Sequence, residues 1–394
     1  MNFRRIITGA VSLVMMTALV TGTYTNAASY DTAVMTAAQD IQLTSGCVAL
    51  EVSGYYNYSE IQAAIDKINS YRLEACTQGV ENPSTGKALT ISDYVPIKWS
   101  YDLGCIAEIR AMEASVCLSH TRPNGTSCFS VASPNGITSN GECLAWNNTQ
   151  SMVYGVEQWY GEKSAWVNKT GGVTGHYTQM IDPEHEYFGL SMFVYPDAYY
   201  STTVCTEYSN SSMSDTTRIS THAGKFTFEA LLSDCNVTVD YGSATIMAGN
   251  TSKFSVNAKY SGGSGLREFN KVLPVTDGIT WATSDSTVAT VSSDGIVKGI
   301  AKGTATITAY VGSTAVGSQK VNITTILMGD INGDKLVDSS DAALILAEYA
   351  RTQSVKTGNF TTEQKEVADY NCDGSIDSSD SALILKAYAS KQAE

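Results

Sequence analysis

The spacing of apolar and polar positions divides the chain into stretches of different period. Ile6 to Val20 is almost wholly apolar and follows Met-Asn-Phe-Arg-Arg. From Ser59 to Glu74 apolar residues recur at three and four positions behind a serine, which predicts an amphipathic helix capped by Ser59. Helices are also expected from about Ser100 to Cys117 and from about Ser151 to Trp166, with Gly- and Pro-marked loops between them and a strand over Tyr187 to Tyr195. Between Asn236 and Thr325 the period changes to two: Lys253 to Tyr260, Thr287 to Val291, Ala305 to Ala309 and Lys320 to Ile323 alternate between Gly-containing turns. That pattern predicts short antiparallel strands in a sandwich. Beyond Gly329 the helical period returns, and Ala-Leu-Ile-Leu with a following tyrosine appears twice, ending at Tyr349 and Tyr388.

Each copy of that helix follows a loop rich in oxygen ligands. Asp330, Asn332, Asp334, Asp338 and Asp341, with the carbonyl of Leu336, occupy positions 1, 3, 5, 9, 12 and 7; Asp369, Asn371, Asp373, Asp377 and Asp380, with the carbonyl of Ser375, repeat the spacing. This is the ligand order of an EF-hand-like calcium loop, with Asp in place of the usual Glu at position 12. Gly329 to Ser390 carries eleven carboxylates against five basic residues, a net of minus six. Two Ca²⁺ ions offset four of those charges, so metal binding and folding are expected to be one event. The segment resembles a dockerin, the calcium-folded plug by which secreted enzymes of anaerobic fibre degraders attach to cohesin modules of a cellulosome scaffold. The resemblance implies cohesin as partner, contacted by Ser339, Ser340, Ser378 and Ser379. Lys335 stands where the turn usually takes Gly, whereas the second loop has Gly374, so the first loop is expected to hold the poorer turn.

Composition narrows what such a plug carries. A net charge of −14 and a pI near 4.7 argue against nucleic acid or an anionic membrane surface. Residues 1–28 read as a secretory signal, because the apolar run is shorter than a span and ends in small residues near Ala27. The mature chain is expected to be extracellular, in a cellulosome or cell-surface complex, with no transmembrane anchor. Eight of the nine cysteines lie between Cys47 and Cys235, while Cys372 stands alone in the second calcium loop. Eight allow four bridges, but spacing does not say which.

Asn236 opens a different composition. Ile279-Thr-Trp281-Ala-Thr-Ser284-Asp, Val288-Ala-Thr-Val291, Asp294-Gly295-Ile-Val297 and Gly303-Thr-Ala-Thr-Ile-Thr308 resemble a bacterial Ig-like domain of group 2. This implies an all-β spacer or adhesive domain over 236–326, ahead of a small all-α dockerin at 327–394, with Trp281 in the sandwich core.

Residues 29–235 hold the candidate chemistry. His120, Glu142, Glu162 and His176 are two imidazoles and two carboxylates, a set suited to Zn²⁺ or another divalent ion, or to acid–base work. No His-Glu-x-x-His or Gly-x-Ser-x-Gly motif accompanies them. Their contexts, Ser119-His-Thr-Arg-Pro, Asn140-Gly-Glu-Cys-Leu144, Trp159-Tyr-Gly-Glu-Lys163 and Gly175-His-Tyr-Thr-Gln-Met180, resemble the CAP superfamily of SCP and PR-1-like proteins. That implies an α-β-α sandwich with a cleft lined by those four residues. Cys143 replaces the usual Asn, and the Trp expected after Gln179 is absent.

Three functions then stand open. The cleft holds a divalent metal and captures a peptide, lipid or plant cell-wall glycan; or Glu142 or Glu162 acts as general base in a peptidase or polysaccharide hydrolase; or the protein is an adhesive subunit without a site. His185, in Asp182-Pro-Glu-His-Glu186, reads as a solvated turn residue, and His222 as part of a polar tail. Trp159, Tyr160 and Tyr177 read as core.

Overall fold

The computed structural model describes residues 43–262, 271–325, 327–355 and 357–392. The signal segment lies outside them. Of the described residues, two compact units divide the chain: one comprises Ser53–Ser115 and Ser127–Phe226, the other 43–52, Val116–Thr126 and Thr227 onward.

In the first unit helices α1 (Ile61–Gln78), α2 (Tyr101–Cys117), α3 (Met152–Tyr160), α4 (Lys163–Asn168) and α5 (Gly175–Ile181) surround a sheet. Strand β1 (Cys47–Tyr56) pairs Tyr55 and Tyr56 with β4 (Tyr187–Val194); β2 (Lys98–Trp99) runs parallel to β4, and β5 (Thr202–Ser209) joins β4 to β3 (Gly141–Asn147). Alternation along these strands separates the two helical layers. Gly189 and its partner Glu207 point to the face covered by α2, where a Cβ on Gly189 would meet the Leu103 backbone at 2.0 Å. The opposite face holds Val204, against which Gly155 of α3 packs. The unit is therefore an α-β-α sandwich.

Local chemistry differs from expectation at two helices. The N-cap of α1 is Glu60, which makes no side-chain cap bond of its own. Its Oε2 instead accepts the Ser151 hydroxyl and the Val153 N–H, holding the start of α3. The helix expected over Ser151–Trp166 is broken: Gly161 and Glu162 form a tight turn in which Glu162 N–H donates to the Trp159 carbonyl at 3.2 Å.

Two histidines are corrected. His185 is buried: its Nδ1 lies 3.0 Å from the Gln179 carbonyl and its ring stacks on Tyr208 at 5.0 Å. His222, in β6 (His222–Leu231), is fully buried, with Nδ1 2.9 Å from the Ser220 carbonyl and Nε2 3.6 Å from Glu108 Oε1. Polar sequence neighbours concealed buried positions against aromatic rings in both cases.

In the second unit, β1 pairs Ala49 and Leu50 with β11 (Val272–Asp277), and β10 (Ser255–Tyr260) lies between β11 and β7 (Cys235–Asp240). Strands β12 (Ile279–Thr283), β15 (Gly303–Val311), β16 (Thr314–Thr324) and β8 (Thr245–Met247) form one further sheet. Strands β13 (Ala289–Val291), β14 (Ile296–Gly299) and β9 (Thr251–Lys253) form another. They enclose Ile246, Phe254, Val297, Ile307, Val321 and Ile323, and Trp281 packs partly buried against that core. The run expected as one strand over Lys253–Tyr260 splits at Phe254, whose side chain enters the core while its N–H bonds the Gly295 carbonyl at 2.8 Å.

The C-terminal part consists of α6 (Ser339–Val355), α7 (Thr362–Ala368) and α8 (Ser378–Gln392) around Ile331, Ile345, Val367 and Ile384. Among the described residues no helix is long and apolar enough to cross a membrane.

Candidate functional site

The break at Gly161 places Glu162 opposite the N-terminus of α5. Glu162 Oε2 accepts the backbone N–H groups of His176 and Tyr177 at 2.9 and 3.2 Å, and Oε1 lies 2.6 Å from His176 Nδ1. A carboxylate is favoured at this end of a helix, where amides lack intrahelical acceptors. Burial pushes the Glu162 carboxyl up, but His176 and the two backbone amides outweigh it and hold the group below its usual range. An ionised Glu162 only accepts, so His176 carries its proton on Nδ1, and in the neutral ring Nε2 bears the lone pair.

Aromatic packing supports the pair. Tyr177 is buried and meets Tyr160 edge-on at 6.1 Å, and Tyr160 stacks on Tyr71 at 3.8 Å. The Tyr160 hydroxyl and Lys163 Nζ both donate to Glu74, at 2.9 and 2.7 Å. Beside them is an open cavity of about 330 Å³ lined by Tyr160, Gly161, Lys163, Ser164, Val167 and Asn168. Tyr160 thus borders solvent space, whereas Trp159 and Tyr177 are core.

Glu142 has another environment. It follows Gly141 on β3 and faces α2, where Arg110 Nε donates to its Oε2 at 2.7 Å and Arg110 NH1 to Glu113 at 2.6 Å. Its strand partner Glu207 is fully buried; burial, then the Glu142 charge, push the Glu207 carboxyl well above its usual value. The opposite-facing Cys143 directs its thiol to the His176 carbonyl at 3.7 Å. Gly141 explains the Gly-Glu pair: a Cβ there would meet Gln179 Oε1 at 2.3 Å, so two of the quoted motifs pack directly on each other.

Three of the four predicted residues therefore lie in this unit, and the structure brings Glu162 and His176 together. His120 is exposed and belongs to the second unit, in the loop after α2. Within the first unit both Glu162 oxygens accept from His176 and backbone amides, while Glu142 is ion-paired with Arg110. A group of ligand atoms all within 4.8 Å does exist among the described residues, but it is Glu142, Cys205 and Glu207. Arg110 and Glu207 were missed from sequence. For Arg110 the available signal was the charges at Glu108, Arg110 and Glu113 among the apolar residues of α2.

The two C-terminal loops have matching geometry. Asp330 Oδ1 accepts the N–H of Asp334 at 3.0 Å, as Asp369 Oδ1 does from Asp373; Asp330 Oδ2 accepts Lys335 N–H and Asp369 Oδ2 accepts Gly374 N–H, both at 2.9 Å. Asp341 Oδ2 and Asp380 Oδ2 accept the Asp338 and Asp377 N–H groups at 3.0 and 2.9 Å. Asp330, Asp341 and Asp380 are buried, and among the described residues no Lys or Arg pairs with them. Buried carboxylates held only by amides suit a hard cation. The expected inequality of the turns is corrected: Gly333 and Lys335 have φ of 78° and 70°, Cys372 and Gly374 have 59° and 88°. Each loop carries one non-glycine in the left-handed region.

Comparison with known proteins identifies three families in order along the chain. Residues 65–208 match the cysteine-rich secretory protein family, CAP. Residues 235–324 match the bacterial Ig-like domain, group 2, and residues 328–388 the dockerin type I domain. None of the curated proteins matches. Among solved structures, Schistosoma mansoni venom allergen-like protein 4 is 16% identical, covering 40% of this chain and 93% of its own, with a TM-score of 0.26. An intimin mutant of EHEC O157:H7 is 15% identical, covering 39% and 73%, with a TM-score of 0.18.

Proposed function

We propose that this dockerin-bearing CAP protein is a ligand-binding subunit exported to an extracellular cellulosome, where its C-terminal segment plugs into a scaffold cohesin in a calcium-dependent manner. The carrying observation is the duplicated loop, whose first and twelfth aspartates accept matching amide bonds in both copies. Asp330, Asn332, Asp334, Asp338 and Asp341 with the Leu336 carbonyl would hold one ion, and Asp369, Asn371, Asp373, Asp377 and Asp380 with the Ser375 carbonyl the other. Calcium supplies the positive charge that draws each loop around its helix start. Ser339, Ser340, Ser378 and Ser379 are exposed there, as are Leu344, Leu346, Leu383 and Leu385 at matching helix positions. This twice-presented surface is the cohesin face.

The CAP unit is the cargo, with the Ig-like domain as spacer. The Glu162–His176 pair, with Glu162 between the cavity-lining Gly161 and Lys163, favours capture of a polar ligand, a peptide or glycan, through the His176 imidazole. The alternative is hydrolysis with the same imidazole as general base, which the Nδ1-bound carboxylate also favours. The plug is tested by calcium titration of the full chain. Two ions should bind, and Asp341→Ala with Asp380→Ala should bind none; equal uptake by that variant contradicts the assignment. The cargo is tested by binding and turnover assays on peptide and plant-glycan panels. His176→Ala should lose the ligand, and turnover lost in Glu162→Gln would favour hydrolysis.

A further inference from the structure

Cysteine spacing leaves the bridges open, but the second unit brings two of its cysteines to one place. Cys47 opens β1 and Cys235 opens β7. The Leu232 N–H donates to the carbonyl of Gly46, the residue before Cys47, at 3.0 Å. A single 3₁₀ turn, Leu232–Asp234, then closes with the Cys235 N–H on the Leu232 carbonyl. Such a turn keeps its ends within about 7 Å, so the chain delivers Cys235 back to the strand end at which Cys47 sits. The Cys47 thiol acts on Cys235: burial raises Cys235 first, followed by the charges of Asp234 and Cys47, to about 12. Cys47 is buried and Cys235 is half-buried.

We propose that Cys47 and Cys235 form a disulfide that fastens the start of β1 to the start of β7. This rests on the extracellular reading, since such bonds persist in oxidising compartments. The oxidant is a disulfide of a dithiol–disulfide oxidoreductase or of an oxidised small thiol. One protein thiol loses its proton and its sulfur attacks the oxidant disulfide, whose S–S bond breaks and releases one thiolate. The second protein thiolate attacks the mixed disulfide, forming the Cys47–Cys235 bond and releasing the other thiolate. The two protons lost by the protein end on the oxidant, which is reduced to two thiols.

The surroundings set the rate. Burial, then the Glu229 carboxylate beside it, push the Cys47 thiol up to about 11. Glu229 is fixed by the Asn124 amide at 2.6 Å and by the Thr44 backbone amide. Few thiolates are present at neutral pH, so closure is slow without a catalyst and faster at alkaline pH.

The test uses the full chain in two preparations: protein collected from secretion, and reduced protein reoxidised in a glutathione redox buffer with an oxidoreductase. Free thiols are blocked under denaturing conditions, and non-reducing digests are mapped by mass spectrometry. Peptides joined through Cys47 and Cys235 are expected in both. In addition, Cys47→Ser, Cys235→Ser and the double variant should lower the oxidised melting temperature equally, and should melt like wild type once all are reduced. Blocked Cys47 and Cys235 in the reoxidised chain, or either one joined to another cysteine, overturns the pairing. A bridge in the reoxidised chain that is missing from secreted protein leaves the pairing standing and contradicts the extracellular reading instead. If a variant does not fold, the wild-type map decides.

Discussion

Glu162 grips His176 twice, with one carboxylate oxygen 2.6 Å from Nδ1 and the other accepting the same residue's backbone N–H at 2.9 Å. The side chain thereby fixes both the ring tautomer and the start of the helix that carries it. Glu162→Gln should cost about 1–2 kcal/mol, the range for losing charge-assisted hydrogen bonds at a partly exposed cap. It should also weaken ligand binding more than it perturbs the fold, as calorimetry and denaturant melts would show.

The same carboxylate gives a pH dependence. Its folded pKa is depressed, so its contribution is fully present above the unfolded glutamate value of about 4.3 and is lost as pH falls through the lower folded value. Wild type should lose stability over that acid limb faster than Glu162→Gln. Parallel acid profiles of the two proteins would refute this origin.

Arg110 should be the costliest polar position in the first unit. Arg110→Met leaves Glu142 and Glu113 buried without their cation, a loss of about 3–5 kcal/mol. Guanidinium unfolding of the full chain would register it; a change no larger than the usual surface-mutation range of about ±0.5 kcal/mol would mean the buried pair is not formed.

Gly141→Ala should push against Gln179 and cost about 1–3 kcal/mol by overpacking. Combining it with Gln179→Ala should recover part of that loss. Strictly additive effects would indicate that the two motifs do not touch.

The calcium loops make a paired prediction. Lys335→Gly and Cys372→Gly each relieve a left-handed non-glycine, worth about 1 kcal/mol, so each should tighten calcium by roughly fivefold and to a similar extent. Improvement confined to Lys335→Gly would restore the sequence-based expectation that the first turn alone is poor.

What was legible in the sequence was local. The calcium ligands are fixed by spacing within twelve-residue loops, and the repeated Ala-Leu-Ile-Leu places Ile345 and Ile384 in one core. Short alternating runs with Gly turns likewise marked the Ig-like strands, although no period reveals that Phe254 leaves one sheet for another. The site was partly legible, since Gly175-His-Tyr-Thr-Gln names both His176 and the Gln179 that packs on Gly141. Long-range burial was not: His185 and His222 sit among polar neighbours yet are covered by Tyr208 and Tyr56. Arg110 lies on a helix whose inward direction depends on the sheet it covers.

The most direct test of the central claim is a calorimetric titration of the full chain into a type I cohesin, run in Ca²⁺ and again in excess chelator. The account predicts a tight complex in Ca²⁺ that disappears in chelator and is abolished in the Asp341→Ala, Asp380→Ala variant. Binding of equal strength in chelator, or no binding to any cohesin in Ca²⁺, would contradict it.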